Sequence, residues 1–444
     1  MNLEYALVGD MSWQKQAAWQ TPDTPFMSFA FWQALSDTGS IGEAAGWLPI
    51  YILVYRSEET NTDKDNMQPV AVLPVFVKGH HQGEFVFDYS WAQAYAHYGL
   101  DYYPRLVTSV PYTPISGQRL WLAVGESLTT EIIQTAIAGV DDVAQQVGAS
   151  SWHCLFAEPK LAKIAASSPQ EIAKAITNNH AALIKDTTQK AIKSKQSLPI
   201  LERQGCQFLW QNHKLSADRH LNPNHNFFTD FEDFLARLKA KKRKTIRAER
   251  RKVAEQDIRC ERKCGEQITD SDWQAFYHCY VMTYAVRGQQ PYLTLSFFMK
   301  LAKSMPEHLM LALAYDNTGE IIASSLFLYD NPDSEHSTLY GRYWGALADY
   351  DSLHFELCYY QGIEFAIEQG LQYFDPGTQG EHKLVRGFIP TTTHSLHRIY
   401  DERFIPAISD FCRKDRLHMA QYREQAHEAL PFNADNMPIF DSSK

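Results

Sequence analysis

The segment LMLALAYDNTGEIIASSLFLY (309–329) consists of two apolar runs around a short polar turn, DNTGE. Runs of this length flanking a turn that contains glycine predict a pair of strands. Residues 271–303 before them read as helices. Earlier in the chain the same order occurs once already. A helix carrying Phe29, Trp32, Gln33 and Leu35 precedes Gly39 and Gly42, and two strands follow, IYILVY after Pro49 and VAVLPVFV after Pro69. The polar tract SEETNTDKDN joins those strands. A helix-then-hairpin order that occurs twice predicts two similar α/β units, each starting a mixed sheet from an antiparallel pair.

Further elements extend each unit. Ile132, Ile133, Ala136, Ile137, Val140 and Val143 recur at helical spacing over 128–147, and SSWHCLFA (150–157) reads as a strand. Residues 160–200 are rich in Ala, Lys, Gln and Ser and poor in large apolar residues, so they read as an inserted surface helix or excursion. The second unit adds a strand at 337–345, a helix at about 352–369 and a strand at 371–377. At 444 residues the chain has room for two or three cored domains. The boundary is placed between 1–225 and 226–444.

Bulk properties narrow the function. The net charge of −10 excludes a general attraction for polyanions, so any polyanion site must be local. The seven scattered cysteines, with only Cys260 and Cys264 close together, show no zinc spacing and fit free thiols in a reducing compartment. The start, MNLEYALVGD, lacks the pattern of a signal peptide, and no apolar run approaches the roughly 18 residues of a membrane helix. A cytoplasmic protein without a membrane span or a metal site is expected; the oligomeric state is open.

Three regions carry candidate chemistry. Residues 230–256 predict one helix with a narrow apolar stripe and a basic surface that includes Lys242, Arg243, Lys244, Arg247 and Arg251. Like charges at helical spacing repel, so the cluster suggests phosphates of a cofactor or of RNA, against the alternative of a solvated face. The block 79–119 is dense in aromatics, prolines and glycines and suggests a lined pocket, with Glu84, Asp88, Trp91, Tyr102 and Tyr103 as lining residues. GTQGEHKLVRG (377–387), after the strand ending in Asp375, gathers Glu381, His382, Lys383 and Arg386 between glycines. Projected at 100° per residue, Glu356 falls on the face opposite Gln361, Glu364 and Glu368, among apolar residues. A carboxylate there is either satisfied in the core or functional.

KGHHQGEFVFDYSWAQAY with YYPRLVTSVPYTPISG (78–117), FLARLKAKKRKTIRAERRKV (234–253) and LHFELCYYQGIEFAIEQGLQYFDPGTQGEHKLVRGFIPTTTHSLHRI (353–399) together resemble the FemAB-like family of N-acyltransferases, also described as peptidoglycan biosynthesis or recognition proteins. The resemblance spans about Phe26 to Cys412. It implies two tandem GNAT-like acyltransferase folds. It also implies transfer of an acyl or aminoacyl group, from a thioester such as acyl-CoA or a tRNA ester, to an amine of a cell-wall precursor or an amino-acid-like metabolite. No tightly bound cofactor is implied. FDPG followed by a lysine resembles the Fem-type strand and lysine, which maps that lysine onto Lys383. The chain departs from the family at 160–200 and about 217–226, at Leu209 where a histidine is expected, and in reading GTQGEHK for GAQGEHK. It also lacks a Q/R-x-x-G-x-G/A pyrophosphate loop.

Amide formation needs a base for the amine and a stabiliser for the oxyanion. Glu381, His382 or a desolvated Glu356 are candidate bases. Lys383 or Arg386 are candidate oxyanion or substrate-anion partners. Tyr343 and Trp344 are expected to line the acyl or sugar site, with Asp375 beside them. The alternatives are a non-catalytic module that recognises peptidoglycan or a nucleotide-linked ligand, and an RNA-binding protein.

Overall fold

The computed structural model describes residues 2–57, 68–166, 198–215, 226–378 and 380–440. Most of the expected insertion, at 167–197, and nearly all of 217–226 lie outside them. The first half carries β1 (Asn2–Val8), β2 (Leu48–Ser57), β3 (Pro69–Lys78), β4 (Arg105–Thr108), β5 (Trp121–Leu122), β6 (Ser151–Ala157) and β7 (Ile200–Gln211). The second carries β8 (Arg259–Cys264), β9 (Leu309–Tyr315), β10 (Ile321–Tyr329), β11 (Thr338–Ala346), β12 (Tyr373–Asp375) and β13 (Ile389–Ile399). All belong to one 13-stranded mixed sheet, in the order β1-β2-β3-β4-β6-β13-β7-β12-β11-β10-β9-β8 with β5 beside β3.

The repeat in the sequence is a repeat in topology. In the first half β1 to β4 are antiparallel neighbours, and β4 then pairs in parallel with β6. In the second half β8 to β11 are antiparallel neighbours, and β11 pairs in parallel with β12. A parallel pair needs a crossover, which the helix Thr130–Val147 supplies in the first half and the helical segment Leu353–Glu368 in the second. Thr129 caps the first of these helices, accepting from Ile132 N, and Gly148 ends it in a left-handed conformation. This is the arrangement of two tandem acyltransferase folds of GNAT type.

The halves then exchange their trailing strands. β7, the last strand of the first half, pairs with β12, while β13, the last strand of the chain, sits between β6 and β7. The chain around the expected boundary at 225/226 is therefore flanked by a strand that belongs, in space, to both repeats.

The core also crosses between the halves. On one face Phe31 meets Phe297 and Phe26 meets Tyr340, each edge to face. The helices Asp270–Ala285 and Leu295–Ser304 pack on this face through Trp273, Phe276, Phe297 and Leu301. Gly345 lets the first helix approach closely, because a Cβ there would overlap the carbonyl of Cys279. The opposite face of the second half is covered by the segment 353–368 and by Ile246 and Val253 of the basic helix.

Two helical readings change. The helix expected over 230–256 is two helices, Phe231–Ala236 and Ala240–Glu255. The chain breaks at 237–239 because its backbone turns to pair with the C-terminal segment: Lys239 N donates to Pro431 O and Asn433 N to Arg237 O. The second change is a wide, π-helical turn at Glu356–Tyr360. It adds a residue to the turn, so a projection at 100° per residue fails across it. Gln361, which that projection set opposite Glu356, in fact donates to it from Nε2 at 2.7 Å.

Candidate active site

Beyond the Tyr340–Asp375 pair, β11 and β12 have no further rungs, and this end of their ladder is the wedge. Gly341–Trp344 on one side and Pro376–Thr378 on the other line a cleft of about 1220 Å³ between the halves. Its first-half wall is His80–Gly83 with Phe85, Phe87, Tyr89 and Tyr112, and its second-half wall runs from Tyr280 to Tyr292. Opposite the wedge, β11 carries one residue more than β10: Leu326 faces Arg342 while Ser325 faces Trp344, so Tyr343 is a bulge. A bulged residue is left out of the ladder and re-aims its peptide and side chain.

Backbone strain concentrates here. Phe85, Tyr112 and Tyr343, all on the cleft wall, have φ of 62°, 62° and 46°. Left-handed backbone at bulky residues persists only where the surroundings hold it, and it clusters at ligand sites. The rings of the wall pack on one another: Tyr112 stacks on Tyr292 at 5.4 Å, and Tyr284 and Tyr343 meet Tyr292 and Tyr280 edge to face.

Two buried cations hold the wedge. Arg342 Nη2 donates to Asp375 Oδ2 at 2.8 Å, Nη1 reaches Gly341 O and Asp375 O, and Nε crosses to Thr113 of the first half at 2.7 Å. Lys383 is 1% exposed. Its Nζ donates to Gly377 O at 2.6 Å and to Thr378 O at 3.2 Å, which fixes the loop that forms the cleft floor. Burial, with help from Arg342, pulls Lys383 down to about 8 against the opposing pull of Asp375.

The other residues expected in the site fall into separate places. Tyr343, Trp344 and the loop held by Asp375 are at the cleft. Glu381 is exposed, and its nearest polar partner is the Tyr422 hydroxyl at 3.5 Å. His382 bonds the Tyr359 hydroxyl at 2.7 Å and folds over Gly380, inside a cluster with His354 and Phe355. Burial, then Arg386 and Lys383, hold His382 below its ordinary value. Arg386 donates to both Glu249 oxygens at 2.9 and 2.8 Å, to the Tyr360 hydroxyl and to His382 O, and lies over the Phe355 ring. These bonds use four of its five N–H donors and leave one on Nη1. Glu356, 4% exposed, accepts two bonds of 3.0 Å from Arg250, which also holds Glu364. Its burial is accounted for by that ion pair.

Glu84, Asp88, Trp91 and Tyr102 are not in the described lining of the cleft; they are buried. Arg105 binds both Glu84 and Asp88, Tyr102 donates to Asp88 at 2.6 Å, and Lys78 donates to Gln82 O while sitting 3.4 Å from the Trp47 ring centre. Tyr103 packs edge to face on Tyr102. Lys78, Glu84, Asp88 and Arg105 are buried together, so opposite charges offset part of one another's desolvation, while burial still lowers Lys78 to about 7 and raises Glu84 to about 7. On the basic helix, Arg243 donates to Leu238 O at 2.6 Å, Arg247 pairs with Glu232 and Arg251 with Glu255. Among the described residues Lys241, Lys242 and Lys244 form no ion pair.

Sequence reasoning missed His80, His81, Tyr112, Tyr280, Tyr284, Arg287 and Tyr292 as wall residues. The aromatic density of 79–119 pointed to the first three; the tyrosines of Asp270–Ala285 look like core residues, since they recur among Trp273 and Phe276.

The family model described as FemAB-like, peptidoglycan biosynthesis/recognition, matches residues 6–172 and 164–434. The chain belongs to the FemAB-like family. Among solved structures, the FemAB-like chain is similar to L-PGS from Bacillus licheniformis at 10% identity, over 89% of this chain and 98% of that one, with a TM-score of 0.41. It is similar to a tandem GNAT protein from the clavulanic acid biosynthesis pathway at 10% identity, over 90% and 98%, with a TM-score of 0.35. N-myristoyltransferase of Saccharomyces cerevisiae matches at 12% identity, over 84% and 71%, with a TM-score of 0.37. Among curated proteins none matches. Among the described residues of the FemAB-like chain, no helix is long and apolar enough to cross a membrane, and no group of His, Cys, Asp and Glu could hold a metal ion.

Proposed function

We propose that the chain transfers an acyl or aminoacyl group from a thioester or RNA ester to an amine, with the reacting carbonyl in the wedge between β11 and β12. The observation that carries this reading is the placement of two unlike surfaces on opposite faces of the sheet. The aromatic cleft opens on the face covered by Asp270–Ala285, and the basic helix packs on the other. In this reading donor and acceptor meet from opposite sides at the end of the β11–β12 ladder.

The chemistry follows from the groups in reach. The amine nitrogen attacks the carbonyl carbon, the C–N bond forms, and the C–S or C–O bond breaks to release a thiol or hydroxyl. In this reading the bulged peptide at Tyr343 donates its N–H to the developing oxyanion. Carboxylates are absent from the described lining of the cleft, which leaves His80 and His81 as its proton acceptors. Burial, then Arg105 and Lys78, hold His81 below its ordinary value, so its ring is neutral and basic at pH 7. Lys383 and Arg342 position the floor. The acceptor is a cell-wall precursor or another amine of similar size.

The donor that fits best is an aminoacyl ester on RNA. The turn from β11 into the next helix, Leu347–Ser352, reads LADYDS. It offers Asp349 and Asp351 and no glycine, a poor cradle for a pyrophosphate. Lys242 and Lys244, with Lys241, are free to meet phosphates instead. Replacing all three by alanine should weaken binding of an aminoacylated RNA minihelix and flatten the dependence of log K on log[salt] by about 2.7, at about 0.9 per charge for a duplex. A slope that stays the same would assign the phosphates elsewhere. The reading as a whole is tested by incubating the protein with acetyl-CoA or charged minihelix and a panel of amines, with amide product read by mass spectrometry. Absence of amide with every donor would favour the non-catalytic alternative.

A further inference from the structure

Phe87 and Tyr89 lie at the mouth of the cleft, each 48% exposed. Their rings are stacked, 5.6 Å apart and 11° from parallel, and His81 meets Tyr89 edge to face at 4.9 Å. Two large aromatic side chains held open to water are costly unless something covers them.

The segment beneath them is unusually well fastened. Asp88, between the two rings, points inward to Arg105 and the Tyr102 hydroxyl and is 4% exposed. Glu84, a few residues earlier, is bound to the same arginine. Arg203, itself paired with Asp415 of the C-terminal helix, donates to Phe87 O at 2.7 Å. The alternation that buries Asp88 turns Phe87 and Tyr89 outward, and the ion pairs fix them there. A rigid aromatic surface loses little entropy when it takes a ligand.

We propose that Phe87 and Tyr89 form an outer subsite that stacks a pyranose ring of a saccharide carried by the acceptor. The surroundings select this chemistry. The described lining holds the amides of Gln82, Gln289 and Gln290, which both donate to and accept from hydroxyl groups, and it has no carboxylate. Arg287 and Arg342 are its only arginines, it has no lysine, and Arg342 is committed to Asp375 and Thr113. A strand of nucleic acid needs a row of cations along its backbone, and the lysine-rich helix lies on the other face. A sugar ring offers an apolar face to the aromatic pair and hydroxyls to the amides. The subsite extends the reading of the cleft as the acceptor site and rests on it.

The test is a calorimetric or NMR titration of the full chain with chitotetraose and, in a second arm, cellotetraose. These separate recognition of the acetamido group from recognition of the ring alone. Saturable binding of at least one sugar is expected. Phe87→Ala with Tyr89→Ala should weaken it by at least about tenfold, the size of one lost aromatic contact. Phe87→Trp should keep it, and Leu417→Ala, at an exposed apolar residue on the C-terminal helix, should leave it unchanged. The proposal is overturned by binding that survives the double variant, by no saturable binding of either sugar, or by a Phe87- and Tyr89-dependent affinity for oligo(U) or lipid vesicles instead. Amide formation on small amines without sugar binding would remove the subsite alone. Sugar binding without amide formation would remove the transferase reading and leave the subsite.

Discussion

Lys383→Met is expected to lower the rate of acyl transfer by about 10²-fold, the size of effect that follows when a reacting site is displaced by about 1 Å. The substitution keeps the length of the side chain and removes its donors. Gly377 O and Thr378 O then lose the Nζ that holds them at 2.6 and 3.2 Å. Two buried carbonyls without partners turn toward water and carry the floor of the cleft with them. Folding should survive, because the buried cation itself is unfavourable. Single-turnover rates corrected for the folded fraction decide the matter. A rate that falls only in step with stability would reduce Lys383 to a structural tie.

The same residue has a pH signature with a definite sign. Burial lowers its pKa from 10.5 to about 8, so the unfolded chain holds this proton more tightly than the folded one. The destabilising contribution is complete below about pH 8 and is relieved as pH rises toward 10.5. The difference in melting temperature between wild type and Lys383→Met should therefore move in favour of wild type over that window.

The largest loss of stability is expected from Arg250→Ala. Arg250 grips both oxygens of Glu356 at 3.0 Å and reaches Glu364 at 2.5 Å. Without it, Glu356 keeps only Gln361 inside an apolar layer with Leu353, Leu357 and Tyr360. Removing one partner of a buried pair costs about 3–5 kcal/mol. Arg250→Met combined with Glu356→Leu should recover part of it, because only Glu364, the more exposed of the two carboxylates, is then left without the arginine. Denaturant unfolding of the single and double variants measures both quantities. A loss below about 1 kcal/mol for Arg250→Ala, the value of an exposed pair, would contradict this account of Glu356. Glu356→Gln should leave transfer intact once the folded fraction is taken into account.

The local pattern of the chain was legible because its period survives in the fold. The hairpin 309–329, the strands IYILVY and VAVLPVFV, and the helix over 128–147 are where their spacing puts them. Features set by distant segments were not legible. The break at 237–239 exists because the backbone there pairs with 431–433, nearly 200 residues away in sequence, and no local signal marks it. The exchange of β7 and β13 is a choice of partner, which composition does not encode. Glu356 is buried among apolar residues as expected, but Gln361 was misplaced by a single assumption, a constant turn angle, that the wide turn at 356–360 breaks. For the site, the glycine-rich loop 377–387 did mark the floor of the cleft, through Gly377 and Lys383. Its most chemical-looking residues, Glu381, His382 and Arg386, turn away from the cleft or are tied up, because a charge in a loop says nothing of which side it faces.

The central claim is that donor carbonyl and amine meet in the wedge between β11 and β12. Hydrogen exchange read by mass spectrometry, with and without charged minihelix or acetyl-CoA, tests it directly. Binding of the productive donor should slow exchange in peptides covering Gly341–Trp344 and Pro376–Thr378, with the basic helix protected in the same sample. Protection confined to the other parallel pair, β4 and β6, with the β11–β12 wedge unchanged, would contradict it.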